Sequence, residues 1–365
     1  MIKIIDVAVY RFALPLVKPL ALMGREMADR RGLLIRFRGN AGFEGWGEIA
    51  PFPGLHRESP REAESQICSL ANEFFGKLLP GGLEKLDGGF DNLLIKFGLF
   101  PSTRFGVEMA MLNLIAAARR IYLSQLLTSC PTAQLFVNAL LSGTKAEMLR
   151  QLMDISPQNY RSVKIKVGRL PFVDEIEVIR AARDMLPKNV TLRLDANRAW
   201  ALQMAIRFAS AIGNDRIEYI EEPLKDPAEL PDFFQANKMP SALDESLAGI
   251  SPKTYRQMPG VAAFILKPAV LGGIEKTMRF ARIAKSLGIK PVISSVFESG
   301  VGLTALANIA AAINAPDTPV GLGTYTWFKE DVLQTPFCAE EGQINVLAIN
   351  KTCNYLKINK LERIL

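Results

Sequence analysis

Three carboxylates and three lysines carry the chemistry of this chain. They close five short apolar runs: Ser162-Val163-Lys164-Ile165-Lys166, Leu192-Arg193-Leu194-Asp195-Ala196-Asn197, Tyr219-Ile220-Glu221-Glu222-Pro223, Ala242-Leu243-Asp244-Glu245-Ser246 and Phe264-Ile265-Leu266-Lys267-Pro268. Each run reads as a buried strand with charge at its last residues. Lys166 and Asp195 are 29 residues apart, and the steps on to Glu221, Asp244 and Lys267 are 26, 23 and 23 residues. A strand–helix–strand unit takes about 30 residues. The spacing therefore predicts successive strands of a parallel barrel, where reactive groups gather at the C-terminal strand ends. Asp195, Glu221 and Asp244 would there offer three hard oxygen ligands to one divalent cation, Mg²⁺ or Mn²⁺ in its place. Lys166 and Lys267 would face each other across it.

Alternate residues of a strand share a face, so Lys164 points the same way as Lys166, and Arg193 the same way as Asp195. Two ammonium groups side by side lower one another's affinity for protons, as does partial burial. A lysine brought toward neutrality in this way can act as a general base. Glu222 falls on the opposite face from Glu221 and is expected behind the site or paired at its rim. Glu245 follows Asp244 directly, so the choice of ligand there could shift by one residue. His56, the sole histidine of the chain, lies in Pro53-Gly54-Leu55-His56-Arg57 and reads by default as a surface loop residue, with a place near the site mouth as the alternative.

The elements that must position these groups alternate strand and helix from about residue 133 onward. Leu135–Leu140 reads as the first strand, the five charged segments follow, and Pro291–Ser295 and Pro319–Gly323 complete the series. A helix over Ile274–Leu287 is one of the connectors. This alternation predicts a parallel sheet, and without a dinucleotide glycine fingerprint a closed α/β barrel is the expected form. The first part of the chain reads differently, as α+β. Ile4–Phe12 alternates like a strand, residues 32–49 read as a hairpin around Asn40-Ala41, Ser59-Pro60 opens a helix, and another helix covers about Ser102–Ile121. Residues 1–130 are thus expected to form a cap completed by 328–365, with 131–327 as the barrel. The tail beyond Ile344 is expected to fold back on the first part.

Composition narrows the function. Apolar residues make up 49% and charged residues 22% of 365, near the globular norm. The net charge of +7 is spread without a basic run, which argues against nucleic acid and suits an anionic small molecule. No apolar stretch predicts a membrane span or a signal peptide. The four cysteines form no CxxC pair and have no histidine at ligand spacing. Zinc and Cys–His chemistry are therefore excluded by composition, and the thiols read as reduced in a cytoplasmic protein. The sequence carries no signal of oligomeric state.

The Lys-x-Lys pair, the Asp, Glu, Asp series and the opposing Lys267 resemble the enolase superfamily, in its muconate-lactonising-type subgroup. The segments Gly45-Trp46-Gly47-Glu48-Ile49-Ala50-Pro51, Leu192–Trp200, Ser294–Gly300 and Gly321-Leu322-Gly323-Thr324-Tyr325 are most similar to the o-succinylbenzoate synthases of that subgroup. The resemblance implies a modified TIM barrel, (β/α)7β, with an enolase-type capping domain and one Mg²⁺. It implies a hydro-lyase of menaquinone biosynthesis: syn dehydration of 2-succinyl-6-hydroxy-2,4-cyclohexadiene-1-carboxylate to o-succinylbenzoate through a metal-stabilised enediolate. On it, Lys166 removes the α-proton, Lys267 supports the charge that develops, and Lys164 holds the proton affinity of Lys166 down. It further implies that Asn197, Ser295 and Glu298 meet the substrate, that Arg193 orients the substrate carboxylate or orders the lysine pair, and that cap loops at Leu20–Arg31, with Met23-Gly24-Arg25, and Phe52–Glu58 close over the mouth. Racemases of N-succinylamino acids and dipeptide epimerases share the same two lysines and are the alternative.

Overall fold

The computed structural model describes residues 1–22, 25–155, 160–313, 315–353 and 355–365. The first strands are β1 (Ile4–Leu22), β2 (Arg25–Gly39) and β3 (Glu44–Ile49). β1 and β2 pair antiparallel almost end to end, from Ile4 with Gly39 to Leu22 with Arg25. The expected loop at Leu20–Arg31 is therefore the end of a long hairpin, in which Leu20 pairs with Met27; Met23 and Gly24 lie outside the described residues. Polar residues in β2 hide this, because alternation along a sheet edge does not need an apolar face. β3 packs on the helix Pro101–Ala118 through glycines. A Cβ on Gly47 would lie 1.9 Å from the Gly106 carbonyl oxygen, and one on Gly45 2.1 Å from that of Ala110. That helix has buried residues on all sides, as a helix enclosed by sheet and barrel must.

After β4 (Gln134–Phe136), which lies outside the barrel sheet, come the barrel strands β5 (Ala139–Leu141), β6 (Ser162–Lys166), β7 (Thr191–Asp195), β8 (Ile217–Glu221), β9 (Ser241–Leu243), β10 (Val261–Leu266) and β11 (Lys290–Ile293). They are parallel in the order β11-β10-β9-β8-β7-β6-β5. Leu135–Leu140 is thus two strands rather than one, since β4 leaves the barrel sheet to pair antiparallel with β12 (Gln343–Asn345). Residues 320–321 close the ring. Val320 donates to the Phe136 carbonyl at 2.7 Å and Gly321 to that of Ile293 at 2.8 Å. Inside the ring, Tyr219, Ala242, Ala263, Ile265 and Val292 form a small apolar core of their own, separate from the main core outside it. Finally β13 (Glu362–Arg363) joins the edge of β1, giving the cap order β13-β1-β2-β3. The fold is α/β, a parallel barrel with an antiparallel cap.

Candidate active site

The parallel register brings the charged strand ends level. Lys166 pairs with Asp195, Asp195 with Glu221, and Glu221 with Ala242, two residues before Asp244. All three carboxylates are at least 95% buried. The ammonium of Lys164 lies between two of them, 2.8 Å from Asp195 Oδ2 and 2.7 Å from Glu221 Oε2. Lys166 donates to Asp195 Oδ2 at 2.5 Å and to Asn197 Oδ1 at 2.8 Å. Four strands away in the sheet order, Lys267 donates to Asp244.

Burial shapes the proton affinities of this row. At Lys166 it is the largest influence and carries the amine below its ordinary range, with the charge of Lys164 adding to it and Asp195 opposing. At Lys267 burial is outweighed by Asp244 and Glu221, so the ammonium is held above its ordinary range. Glu221 is pushed up to about 8, by burial first and then by the charges of Asp195 and Asp244. Burial and the two neighbouring carboxylates thus outweigh Lys164, which lies against both Glu221 oxygens. Three oxygen donors of this kind fit a hard divalent cation. Among the described residues no three carboxylate, imidazole or thiol groups are already spaced as an ion cage; lysine ammoniums lie against the three carboxylates, so binding would move them aside.

The neighbouring carboxylates take separate places. Glu222, at φ +43°, accepts from the Asp244 and Ser246 amides at 2.7 and 2.8 Å and from Arg198 Nε at 3.0 Å. It fixes the backbone that carries Asp244, as expected for a residue behind the row. Glu245 accepts from Asn197 Nδ2 at 3.2 Å, and its second oxygen is buried without a partner. Asn197 is therefore held from both sides with its carbonyl oxygen toward Lys166.

Several expected substrate contacts lie elsewhere. Arg193 is 1% exposed and donates to Glu218 and to the Pro319 carbonyl, both at 2.7 Å. Glu218 also accepts from Thr191 and Lys290, the first residues of their strands, so Arg193 reaches the barrel floor rather than the mouth. A register shift between Leu192 and Arg193 turns Glu218 inward to meet it. The Ser295 hydroxyl is engaged with the Gly321 carbonyl at 2.9 Å and with Thr324 Oγ1 at 2.8 Å. Glu298 takes the Val296 amide on one oxygen, while the other is buried and unpartnered.

His56 is half-buried and held rather than free on the surface. Its Nδ1 accepts from the Phe52 amide at 2.9 Å and its Nε2 lies 3.0 Å from the Ala269 carbonyl, just past Lys267. Burial lowers its proton affinity. The Phe52–Glu58 segment is therefore docked on the barrel, with Phe52 stacked on Phe297 at 5.3 Å. Buried Arg30 completes the clamp with donations to the Pro51 and Phe297 carbonyls. The sequence carried no signal for Arg30, whose hydrogen-bond acceptors are all backbone oxygens.

Residues 147–349 match the model of the enolase C-terminal domain-like family, and residues 4–114 match that of the MenC N-terminal domain. The chain is 31% identical to o-succinylbenzoate synthase of Edwardsiella ictaluri over 333 residues, covering 90% of this chain and 93% of that protein. With o-succinylbenzoate synthase of Escherichia coli K12 it shares 33% identity over 321 residues, covering 87% and 89%. The chain belongs to the o-succinylbenzoate synthase family of the enolase superfamily. It is an enzyme, a lyase. The substrate-liganded L-Ala-D/L-Glu epimerase from Bacillus subtilis is similar in structure, with a TM-score of 0.79, 26% identity and coverage of 94% of this chain and 96% of that one. No helix among the described residues of this family member is long and apolar enough to cross a membrane.

Proposed function

We propose that the protein catalyses syn dehydration of 2-succinyl-6-hydroxy-2,4-cyclohexadiene-1-carboxylate to o-succinylbenzoate, a step of menaquinone biosynthesis in the cytoplasm. Residues 131–327 act as the catalytic barrel, and 1–130 with 328–365 as its cap. The observation that carries this reading is the placement of Lys166 and Lys267 at either end of one row of buried carboxylates. A Mg²⁺ held by Asp195, Glu221 and Asp244 would supply Lewis-acid stabilisation of charge on the substrate carboxylate.

Lys166, the amine with lowered proton affinity, takes the proton α to the ring carboxylate. The electron pair left behind expels the hydroxyl group from the same face. The ammonium formed at Lys166 returns the proton to the departing oxygen, so water leaves and the amine is regenerated. Lys267 stays cationic and offsets the negative charge that develops on the carboxylate. Lys164 adds positive charge beside Lys166, and Asn197 orients it.

Racemisation of N-succinylamino acids or epimerisation of dipeptides is the second reading, favoured by the likeness to an L-Ala-D/L-Glu epimerase structure. It needs Lys267 to gain and lose a proton, which the neighbouring Asp244 and Glu221 oppose.

The test is an ultraviolet assay for the aromatic product. Turnover should require a divalent cation and cease with chelator. Lys166→Ala and Lys267→Ala should each lose at least about 10³-fold in kcat with unchanged circular dichroism. Near-normal turnover by either variant at saturating Mg²⁺ would remove that lysine from the mechanism.

A further inference from the structure

The proposed substrate carries two carboxylates, and the lysine row accounts for one. A second carboxylate enclosed at the barrel mouth without a cation would be costly, because burying an unpaired charge is expensive. Most cations near the row are engaged. Lys164 and Lys267 hold carboxylates, Arg198 is tied to Glu222 and Ser246, and Arg193 lies at the floor.

Arg169 is placed differently. It stands three residues past Lys166, on the turn that leaves β6, and its side chain is exposed. Its Nη2 donates to Asn197 Oδ1 at 3.2 Å, the same oxygen that takes Lys166 Nζ at 2.8 Å. No carboxylate among the described residues forms an ion pair with it. An amide oxygen shared with an ammonium is a weak partner for a guanidinium that can grip a carboxylate with two parallel hydrogen bonds.

The turn that presents Arg169 is rigid. The amides of Arg169 and Leu170 both donate to Glu175 Oε1, at 2.8 and 2.9 Å, and Glu175 is 4% exposed. Gly168 precedes it at φ +78°, and a Cβ there would lie 2.4 Å from the Ala199 Cβ. The turn after β6 is thus seated against the turn after β7, and the guanidinium is set beside the lysine in advance of any ligand.

We propose that Arg169 binds the distal, succinyl carboxylate of the substrate and so selects dicarboxylates. This rests on the dehydration reading above. The experiment measures binding of o-succinylbenzoate and of 2-butanoylbenzoate, in which a methyl group replaces the distal carboxylate, to the Mg²⁺-loaded protein by calorimetry. Arg169→Ala should weaken o-succinylbenzoate by about 10–100-fold, as expected for a lost charge-assisted contact, and leave 2-butanoylbenzoate within about twofold. In turnover the loss should fall on KM far more than on kcat, and Arg169→Lys should restore part of the affinity. Equal weakening of both ligands would show that Arg169 only props Asn197, and no weakening of either would show no contact; each outcome overturns the proposal. Wild-type protein that turns over the cyclohexadiene while Arg169→Ala binds o-succinylbenzoate normally sinks this inference alone. Wild-type protein that neither turns over the substrate nor binds the product sinks the dehydration reading and this inference with it.

Discussion

At the scale of single residues, the reactive amine is positioned by an amide. Lys166 has two acceptors, Asp195 and Asn197. A metal ion would compete for Asp195, which leaves Asn197 as the partner that keeps the amine aimed. The asparagine in turn is fixed by Glu245 and by its own amide on Asp195 Oδ1 at 3.1 Å. Asn197→Ala should therefore lower kcat by about 10–100-fold, since a small misplacement of a reacting group costs on that order. Steady-state kinetics at saturating substrate and Mg²⁺ measure it, and a kcat within about twofold of wild type would mean that Lys166 needs no such guide. The lysines and acids of the row were legible because strand alternation and regular spacing fix both face and level. The destinations of Arg193 and Ser295 were not. Alternation put Arg193 on the inner face correctly, but whether a long side chain runs up to the mouth or down to the floor depends on a partner supplied by a shifted strand. His56 was misread for a similar reason, since both its partners are backbone atoms and leave no pattern in side-chain types.

At the scale of elements, the cap is joined to the barrel by close backbone contact as much as by side chains. The glycines of Gly45-Trp46-Gly47 lie within β3, as the hairpin reading placed them, and let the helix Pro101–Ala118 approach within contact distance. Gly106 completes the contact from the helix side, where an added Cβ would lie 2.4 Å from Ile49 Cγ1. Gly47→Ala should cost at least about 3 kcal/mol, at the upper end for overpacking, because the atom struck is backbone and cannot rotate away. The urea midpoint reads this directly, and an unchanged midpoint would show that strand and helix have room between them. The helices and the parallel strands were readable from their periodicities, within a few residues at their ends. The break between β4 and β5 was not, because one apolar run serves two sheets and only the position of β12, some 200 residues further on, divides it.

At the scale of the whole molecule, cap and barrel complete each other's helix ends. Glu48 of β3 accepts from the Ser299 and Gly302 amides at 2.9 Å, at the start of the barrel helix Gly300–Ile313. Glu108 of the cap accepts from the Glu275 amide at 2.9 Å, at the start of the helix Ile274–Ser286. Glu275 in return accepts from the Gly88 amide at 2.8 Å. The three carboxylates of the row are buried, and burial sets the charge balance of the site. Three lysines face three carboxylates there, and burial is the largest influence on each of Lys166, Glu221 and Asp244. With its affinity raised to about 8, Glu221 is expected to hold a proton at pH 7 for much of the time when no cation is bound. A divalent cation binds the ionised carboxylate, so the proton must leave. Mg²⁺ binding at pH 7 should therefore release up to about one proton from this group, and the release should shrink as pH rises past 8, where the carboxylate is ionised beforehand. Calorimetric titration with Mg²⁺ in buffers of different ionisation enthalpy gives the proton count at each pH. Apparent Mg²⁺ affinity should rise with pH over the same range, by close to tenfold per unit below the inflection. A buffer-independent heat at pH 7 would mean that Glu221 is already ionised, with Lys164 alone balancing it.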